Sequence, residues 1–333
     1  MCAAAPPLAF PGAGGSVCAM PGEPSEPPGP PEPLGPDSLT WRYFGDWRGL
    51  LLAPWSGALQ NMHPQLAAGV AEHSRFFEER WQRLLRSLYP IDGVVYDGPR
   101  AAETARQVRG YHATVKGTDA RGRPYHALRP EVFYWAHATF FMLTVLVGDR
   151  LGPGLSEADK RRLFDEHVRW WRLYGMSMRP VPDSWEDFQR YWDRMAEEVL
   201  EDTRQARDVL DLRRLAKPPA LRLLPDAVWR ALRGPQARAT LWLTVGLFPP
   251  AVRRRLGYVW TVRDERRLRR LGRAVHRAWK LVPFERRYHP RARAAWRREA
   301  GRSRGRQALV ETPARNLPPL AERDLPQHYS PRV

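Results

Sequence analysis

The spacing of apolar residues along the chain predicts a helical protein. Between residues 100 and 116, the side chains of Ala101, Ala105, Val108, His112 and Val115 fall on one face of a helix. Residues 130–147 are apolar almost all round, which is typical of an interior helix. Their apolar run, 132–147, is 16 residues long. A bilayer span needs about 20 residues, so we expect no transmembrane segment.

Other segments also favour helices. Ser156 and Ser184 are each followed three residues later by Asp, which is a signal for the start of a helix. Further helices are predicted in short pieces over 40–74, and at 76–88, 157–174, 185–199, 241–247, 252–259 and 268–281; residues 94–96 are one strand or none. A turn at 117–124 joins the helices 100–116 and 130–147, which we expect to form an antiparallel pair. The predicted fold class is all-α, a single globular helical domain with globin-like packing and a buried pocket.

Composition divides the chain into three parts. Residues 1–38 hold 11 of the 33 prolines and no Lys or Arg, which predicts a disordered tail. Residues 39–300 form the predicted helical domain, and 301–333 form a basic, proline-containing, flexible tail. The N-terminus has no basic stretch followed by a continuous apolar run, as a signal peptide requires. We therefore expect a cytoplasmic protein.

Several kinds of site are excluded by what the sequence lacks. The cysteines, Cys2 and Cys18, both lie in the N-terminal tail, so the body has no thiol ligand or nucleophile. No Gly-x-Gly-x-x-Gly or P-loop run occurs. No histidine follows a Glu by three residues, as the di-iron bundles require. After these exclusions, single histidines remain as the candidate metal ligands.

Two histidines have unusual surroundings. His137 lies within the predicted interior helix, where a buried imidazole needs a partner. It is either a core histidine that is hydrogen-bonded to a carbonyl or a Tyr, or a ligand of an iron atom. His112 follows Arg109 by about one turn and is either held by the next loop or faces His137 across a flat ligand. An iron porphyrin fits the second alternative for both histidines.

Short motifs in a fixed order between residues 41 and 298 extend this picture. They include Leu59-Gln60-Asn61-Met62-His63-Pro64, Gly110-Tyr111-His112-Ala113-Thr114 and Trp135-Ala136-His137-Ala138-Thr139, with further matches at 45–48, 67–70, 73–76, 83–84, 122–127, 247–250 and 281–283. The ordered set resembles the family of oxygenases grouped around the latex-clearing rubber oxygenase and MpaB. The resemblance implies an all-helical domain that binds haem b and uses dioxygen on an apolar substrate.

The resemblance also implies roles for individual residues. It places the proximal iron ligand at His137. The distal Arg of the rubber enzyme falls on Arg109, whereas its Lys and Thr fall on His112 and Ala113. This difference argues against rubber-type cleavage and makes His112 a candidate distal ligand or oxygen-binding donor. A small lipophilic, intracellular substrate is therefore expected.

For four more residues, both a structural and a functional role are possible interpretations. His63 either holds a helix junction or contacts the haem. Arg83 either forms a structural ion pair or binds a haem propionate. Trp135 and Phe141 are core aromatics or line the haem.

A basic C-terminal region supplies a competing hypothesis. Residues 253–333 carry 23 basic and seven acidic residues, against a net charge of +18 for the whole chain. This region is either a solvated surface in an arginine-rich protein, or a surface for an anionic membrane or a phosphate backbone. We expect no specific nucleic acid, while peripheral membrane contact stays open. The alternative function is a haem-free or inactive helical protein that binds through this surface.

Overall fold

The computed structural model describes residues 31–74, 80–119, 121–218, 221–301, 310–317 and 320–322. Within these ranges the chain forms thirteen α-helices and one short antiparallel hairpin, which confirms the all-α class. The helices are α1 (Leu39–Tyr43), α2 (Ala53–Met62), α3 (Pro64–His73), α4 (Arg80–Tyr96), α5 (Ala101–Gly110), α6 (Pro130–Arg150), α7 (Glu157–Leu173), α8 (Trp185–Arg194), α9 (Arg204–Leu210), α10 (Asp226–Leu247), α11 (Pro250–Arg255), α12 (Val262–Trp279) and α13 (Pro290–Glu299). The strands are β1 (Lys116–Thr118) and β2 (Pro124–His126).

Helix α6 is the interior helix that its sequence predicts. Pro130 occupies its first turn, where the missing N–H has no helical partner to lose. The helix packs against α1, α2, α7 and α12. Among the described residues, α6 is long and apolar enough to cross a membrane, but 72% of its most apolar window is buried inside the protein. This burial is typical of a core helix.

The predicted antiparallel pair of helices around the turn at 117–124 is not formed. Helix α5 ends at Gly110, and residues 111–114 form turns before the β1–β2 hairpin. Helix α5 packs mainly against α4 and also against α7. His112 therefore lies beyond the end of its predicted helix. The hairpin, which the apolar pattern did not indicate, separates α5 from α6.

Residues 94–96 are helical rather than a strand. Helix α4 continues to Tyr96 with Pro90 inside it. Val94 and Val95 are fully buried, and the Trp41 indole N–H donates to the Val95 carbonyl over 2.8 Å. Local propensity allows either a strand or a helix for the β-branched residues Val94 and Val95. Packing against α1 and α13 favours the helix.

Both predicted N-cap signals are confirmed. Ser156 and Asp159 form a reciprocal capping box at the start of α7. The Ser184 side chain accepts from the Asp187 N–H at the start of α8, and this helix continues as a π-helical turn, Met195–Val199. These caps fix where α7 begins, and so which of its side chains meet α6.

The packed region extends past both predicted domain boundaries. Of the predicted tails, residues 1–30, 302–309, 318–319 and 323–333 lie outside the described residues. Leu34 is nevertheless buried in the core, and Ser38 caps α1. At the other end Thr312 and Asn316 are buried, and Arg86 on α4 donates to the Asn316 carbonyl over 2.9 Å. The helical domain thus takes in residues that composition assigned to the tails.

Candidate active site

His137 lies at the centre of an aromatic cluster between α6 and α7. Its side chain is 2% exposed. The ring stacks on that of His167 with centroids 4.5 Å apart and an interplanar angle of 17°. Trp170 and Tyr174 meet it edge-on at 4.7 and 5.5 Å, and Trp171 lies at 5.4 Å. His167, Trp170 or Trp171, and Tyr174 follow one another at intervals of three or four residues, so the last turns of α7 and its C-cap present a continuous aromatic face to His137.

The imidazole of His137 is desolvated and has no ordinary hydrogen bond. Neither Nδ1 nor Nε2 makes a hydrogen bond of ordinary geometry among the described residues, and only a weaker polar contact runs to the backbone of His167. Burial lowers the pKa of His137 to about 3, and the backbone of His167 opposes only part of that shift. The side chain is therefore neutral at pH 7. A buried, unpaired polar group costs about 1–3 kcal/mol, so this arrangement needs an explanation beyond packing.

His167 is a second buried histidine. It lies three and four residues before Trp170 and Trp171 in the sequence, and it is not among the predicted site residues. Its Nε2 lies 2.9 Å from the Tyr134 hydroxyl, while its Nδ1 has no partner among the described residues. The other face of its ring stacks on Phe141 at 4.3 Å. Burial, and then the neighbouring His137, lower the pKa of His167 well below its usual value. His137, His167 and Phe141 thus form a continuous stack.

Arg109 reaches the same cluster from outside. Its guanidinium donates to the carbonyls of Tyr174 and Gly175, each over 3.0 Å. These carbonyls lie at the end of α7, where helical C=O groups lack internal partners and a positive charge is favourable. Arg109 therefore fixes the backbone of Tyr174, whose ring contacts His137.

His112 and His137 are connected through other rings. His112 packs edge-on against Phe133 at 5.5 Å, Phe133 lies 5.3 Å from Tyr174, and Tyr174 contacts His137. The Nδ1 atom of His112 lies 2.9 Å from the Val108 carbonyl. Since a carbonyl only accepts, Nδ1 carries the proton and the lone pair resides on Nε2. Arg109 and His112 thus lie around the cluster, with Phe133 and Tyr174 linking them to His137.

Burial and a neighbouring cation disfavour the charged form of His112. Burial lowers the pKa of His112, the Val108 carbonyl opposes this, and the positive charge of Arg83 lowers the pKa further. Arg83 on α4 is half-buried. The structure therefore places Arg83 close enough to influence His112, which the spacing of the two residues in the sequence did not indicate.

His63 and Trp135 have other surroundings. His63 lies at the junction of α2 and α3, where burial lowers its pKa to about 4. Its Nδ1 has no partner among the described residues. The Trp135 indole N–H donates to the Leu59 carbonyl over 3.0 Å, and its ring packs on Trp192. Trp135 thus faces α2 and α8, and no ring contact joins either residue to His137 within the described ranges.

The donor chemistry around His137 fits a haem. An iron porphyrin takes a neutral imidazole nitrogen and apolar surroundings. His137 offers both, because its nitrogens are buried among aromatic rings without an ordinary hydrogen bond. The described residues hold no group of three or more His, Cys, Asp or Glu side chains suited to a bare metal ion. A single histidine with aromatic neighbours favours a macrocyclic cofactor over a directly bound ion.

We compared the chain with known protein families, curated proteins and solved structures. Residues 41–277 match the family model described as "ER-bound oxygenase mpaB/B'/Rubber oxygenase, catalytic domain". No curated protein and no solved structure matches the chain significantly. The family match runs from α1 through most of α12 and includes every predicted site residue. The chain therefore belongs to the mpaB and rubber oxygenase family of oxygenase catalytic domains.

Proposed function

We propose that this protein is a haem-b-dependent oxygenase that uses dioxygen on a small lipophilic substrate, with His137 as the iron ligand. The observation that carries the proposal is the neutral His137 imidazole, which is buried in an oxygenase family domain without an ordinary hydrogen bond. When bound, haem supplies the redox-active iron that chemistry with dioxygen requires. The absence of any thiol in the body rules out a thiolate ligand there and is consistent with a histidine ligand.

The residues around His137 have separate tasks in this proposal. His137 supplies a lone pair with which no proton competes above about pH 3. Tyr134 holds His167 through the hydrogen bond at Nε2, and His167 supports one face of the His137 ring. Trp170 and the other rings exclude water, which suits an apolar substrate.

Arg109 is a positioning residue in the described structure. Its hydrogen bonds at the end of α7 set the backbone of Tyr174 and place a permanent positive charge near the aromatic cluster. Such a charge stabilises negative charge that develops during oxygen chemistry. His112, with its proton on Nδ1, offers the Nε2 lone pair as a candidate second ligand.

An absorption spectrum tests the proposal directly. Protein expressed with a haem precursor should show a Soret band, and acid-acetone should extract the pigment because no Cys-x-x-Cys-His motif attaches it. The His137→Ala variant should lose the band and keep its helical circular dichroism. His63→Ala is the matched control, because His63 is also buried with an unpaired Nδ1 but has no ring contact with His137.

Two outcomes would contradict the proposal. Wild-type protein without iron after such expression would remove haem, and full haem occupancy in His137→Ala would move the ligand elsewhere. The role of His112 is read from the same spectra. If it ligates, the resting protein is six-coordinate and low-spin, and His112→Ala makes it high-spin.

One observation favours the alternative of a haem-free helical protein. The rings of His167, Trp170, Trp171 and Tyr174 all lie within 5.5 Å of the His137 ring by centroid. Room for a macrocycle requires some of these side chains to move. Failure of haem to bind, together with a cooperative unfolding transition, would support this alternative.

A further inference from the structure

A basic cavity lies between the C-terminal end of α6 and α12, apart from the aromatic cluster. Its volume is about 710 Å³. Five arginines and a single carboxylate line it, with Gly152, Pro153 and Gly154 at one side and Leu268 and Gly272 beneath: Arg150, Arg266, Arg269, Arg270, Arg273 and Asp149. So many guanidinium groups around a concave space indicate a site for an anion.

The cavity rests on two tightly packed helices. A Cβ atom at Gly272 would lie 2.1 Å from the Arg150 carbonyl oxygen, so glycine permits close approach of α12 to the end of α6. Leu268, one turn earlier, is 3% exposed. The positions of the cavity arginines are therefore fixed by the fold rather than by a loop alone.

Two of the five arginines are compensated by carboxylates. Arg150 pairs with Asp149 and with Glu265, each over 3.3 Å, and Glu265 also lies 3.8 Å from Arg269. Other exposed arginines of the chain have similar partners, as in the pair of Arg254 with Glu197 at 2.8 Å. The single carboxylate that lines the cavity among the described residues, Asp149, is thus already paired with Arg150.

The other three arginines have no carboxylate partner among the described residues. Arg266, Arg270 and Arg273 are exposed and follow one another at intervals of four and three, so they share one face of α12. All three line the cavity. Three uncompensated charges in one concave surface match a phosphate group, which accepts several guanidinium hydrogen bonds.

Exposed apolar side chains on α12 and just beyond its ends indicate where that phosphate comes from. Val262 lies one helical turn before Arg266 on the same face of α12, and it is 67% exposed. Val259 just before α12 and Leu281 just after it are 85% and 87% exposed. A soluble phosphate or a nucleic acid would leave these side chains in water, whereas a bilayer would bury them while its headgroups meet the arginines.

We propose that α12 and the adjoining cavity bind the phosphate groups of anionic phospholipids and hold the protein against a membrane surface. Arg266, Arg270 and Arg273 bind the headgroups, and Val262 inserts among the acyl chains at the interface. This site is independent of haem and of the aromatic cluster. The cavity adjoins the C-terminal end of α6, about 20 Å along the helix from His137 by residue count.

Vesicle co-sedimentation of the full chain tests this proposal. At about 0.15 M salt, the protein should bind phosphatidylcholine vesicles that contain phosphatidylserine and should not bind pure phosphatidylcholine. The cavity variant is Arg266→Glu/Arg270→Glu/Arg273→Glu. Because each basic residue near an anionic surface contributes roughly a fivefold factor, the affinity should fall about a hundredfold or more.

A matched variant separates a specific surface from the overall positive charge. Arg230→Glu/Arg233→Glu/Arg238→Glu changes three exposed arginines of α10 and alters the net charge by the same amount. It should retain nearly all vesicle binding. Equal losses in both triple variants would overturn the proposal. Helical circular dichroism checks that both variants fold, as expected for exposed positions.

A further variant tests whether the bound phosphate belongs to a lipid rather than to a soluble anion. Val262→Asp should weaken vesicle binding at least tenfold, because it puts a negative charge where an apolar side chain enters the bilayer. If Val262→Asp binds vesicles as wild-type does, or if millimolar inorganic phosphate or duplex DNA displaces the protein from vesicles through the same arginines, the occupant is a soluble anion and the proposal fails.

Discussion

Replacing His137 by leucine should stabilise the haem-free protein while it abolishes haem binding. Both imidazole nitrogens are buried without an ordinary hydrogen bond, which costs about 1–3 kcal/mol. Leucine has a similar size and no polar atom, and the rings of Trp170 and Tyr174 around this position suit an apolar side chain. We therefore expect His137→Leu to raise the free energy of unfolding by about 1–3 kcal/mol at pH 8.

The advantage of leucine should grow as the pH falls. The folded state holds the pKa of His137 at about 3, whereas an unfolded histidine titrates near 6.5. The unfolded wild-type chain therefore binds a proton below about pH 6.5 that the folded chain does not, and folding stability is lost between pH 6.5 and 3. By linkage the difference between the two proteins should widen by about 2 kcal/mol from pH 8 to pH 5.

Urea unfolding, followed by circular dichroism at both pH values on protein purified without haem, measures this difference. His63 has no contact with His137 and its contribution cancels, while burial, the larger cause of the lowered pKa of His167, is common to both proteins. His112→Leu is the matched control, since its Nδ1 is hydrogen-bonded, and it should be no more stable than wild-type at pH 8. A less stable His137→Leu at pH 8, or a difference that does not widen at pH 5, would refute the assignment of an unsatisfied imidazole.

Four further substitutions test other contacts in the protein. Tyr134→Phe removes the partner of His167 Nε2 and should lower the free energy of unfolding by about 1–3 kcal/mol in urea. Gly272→Ala should lower it by about 1–3 kcal/mol, whereas Gly234→Ala, where the nearest atom is 3.8 Å away, should raise it by up to about 1 kcal/mol. Arg109→Ala should keep the haem content by absorbance and slow oxygen consumption about 100-fold, and unchanged consumption would remove it from the chemistry.

Local signals predicted most of the helices that build the site. Ser156 and Ser184 start α7 and α8 because their hydroxyls accept from backbone N–H groups three residues on, which depends only on neighbouring sequence. The apolar character of α6 likewise predicted its burial, and with it the burial of His137. These properties are encoded within one helix length.

The errors arise where distant parts of the chain meet. The helix ending at Gly110 shifts His112 into a turn, and the hairpin that follows prevents the expected pairing of α5 with α6. His167 lies thirty residues after His137, so its stacking depends on how α6 and α7 cross. One signal was available: His167 shares an apolar stripe with Trp170 and Trp171, as a histidine facing a core does.

The environment of His137 suggests a reason for the presence of a histidine in this part of the core. The buried carboxylates beside the core show the usual pattern: Asp97 accepts hydrogen bonds from Arg291 and Thr104, and Glu166 accepts from the first backbone N–H groups of α1. In contrast, the nitrogens of His137 have no such partners, at a position where leucine would pack. An imidazole that lowers stability at a position suited to leucine, in a domain of an oxygenase family, is best explained by a ligand that this imidazole binds.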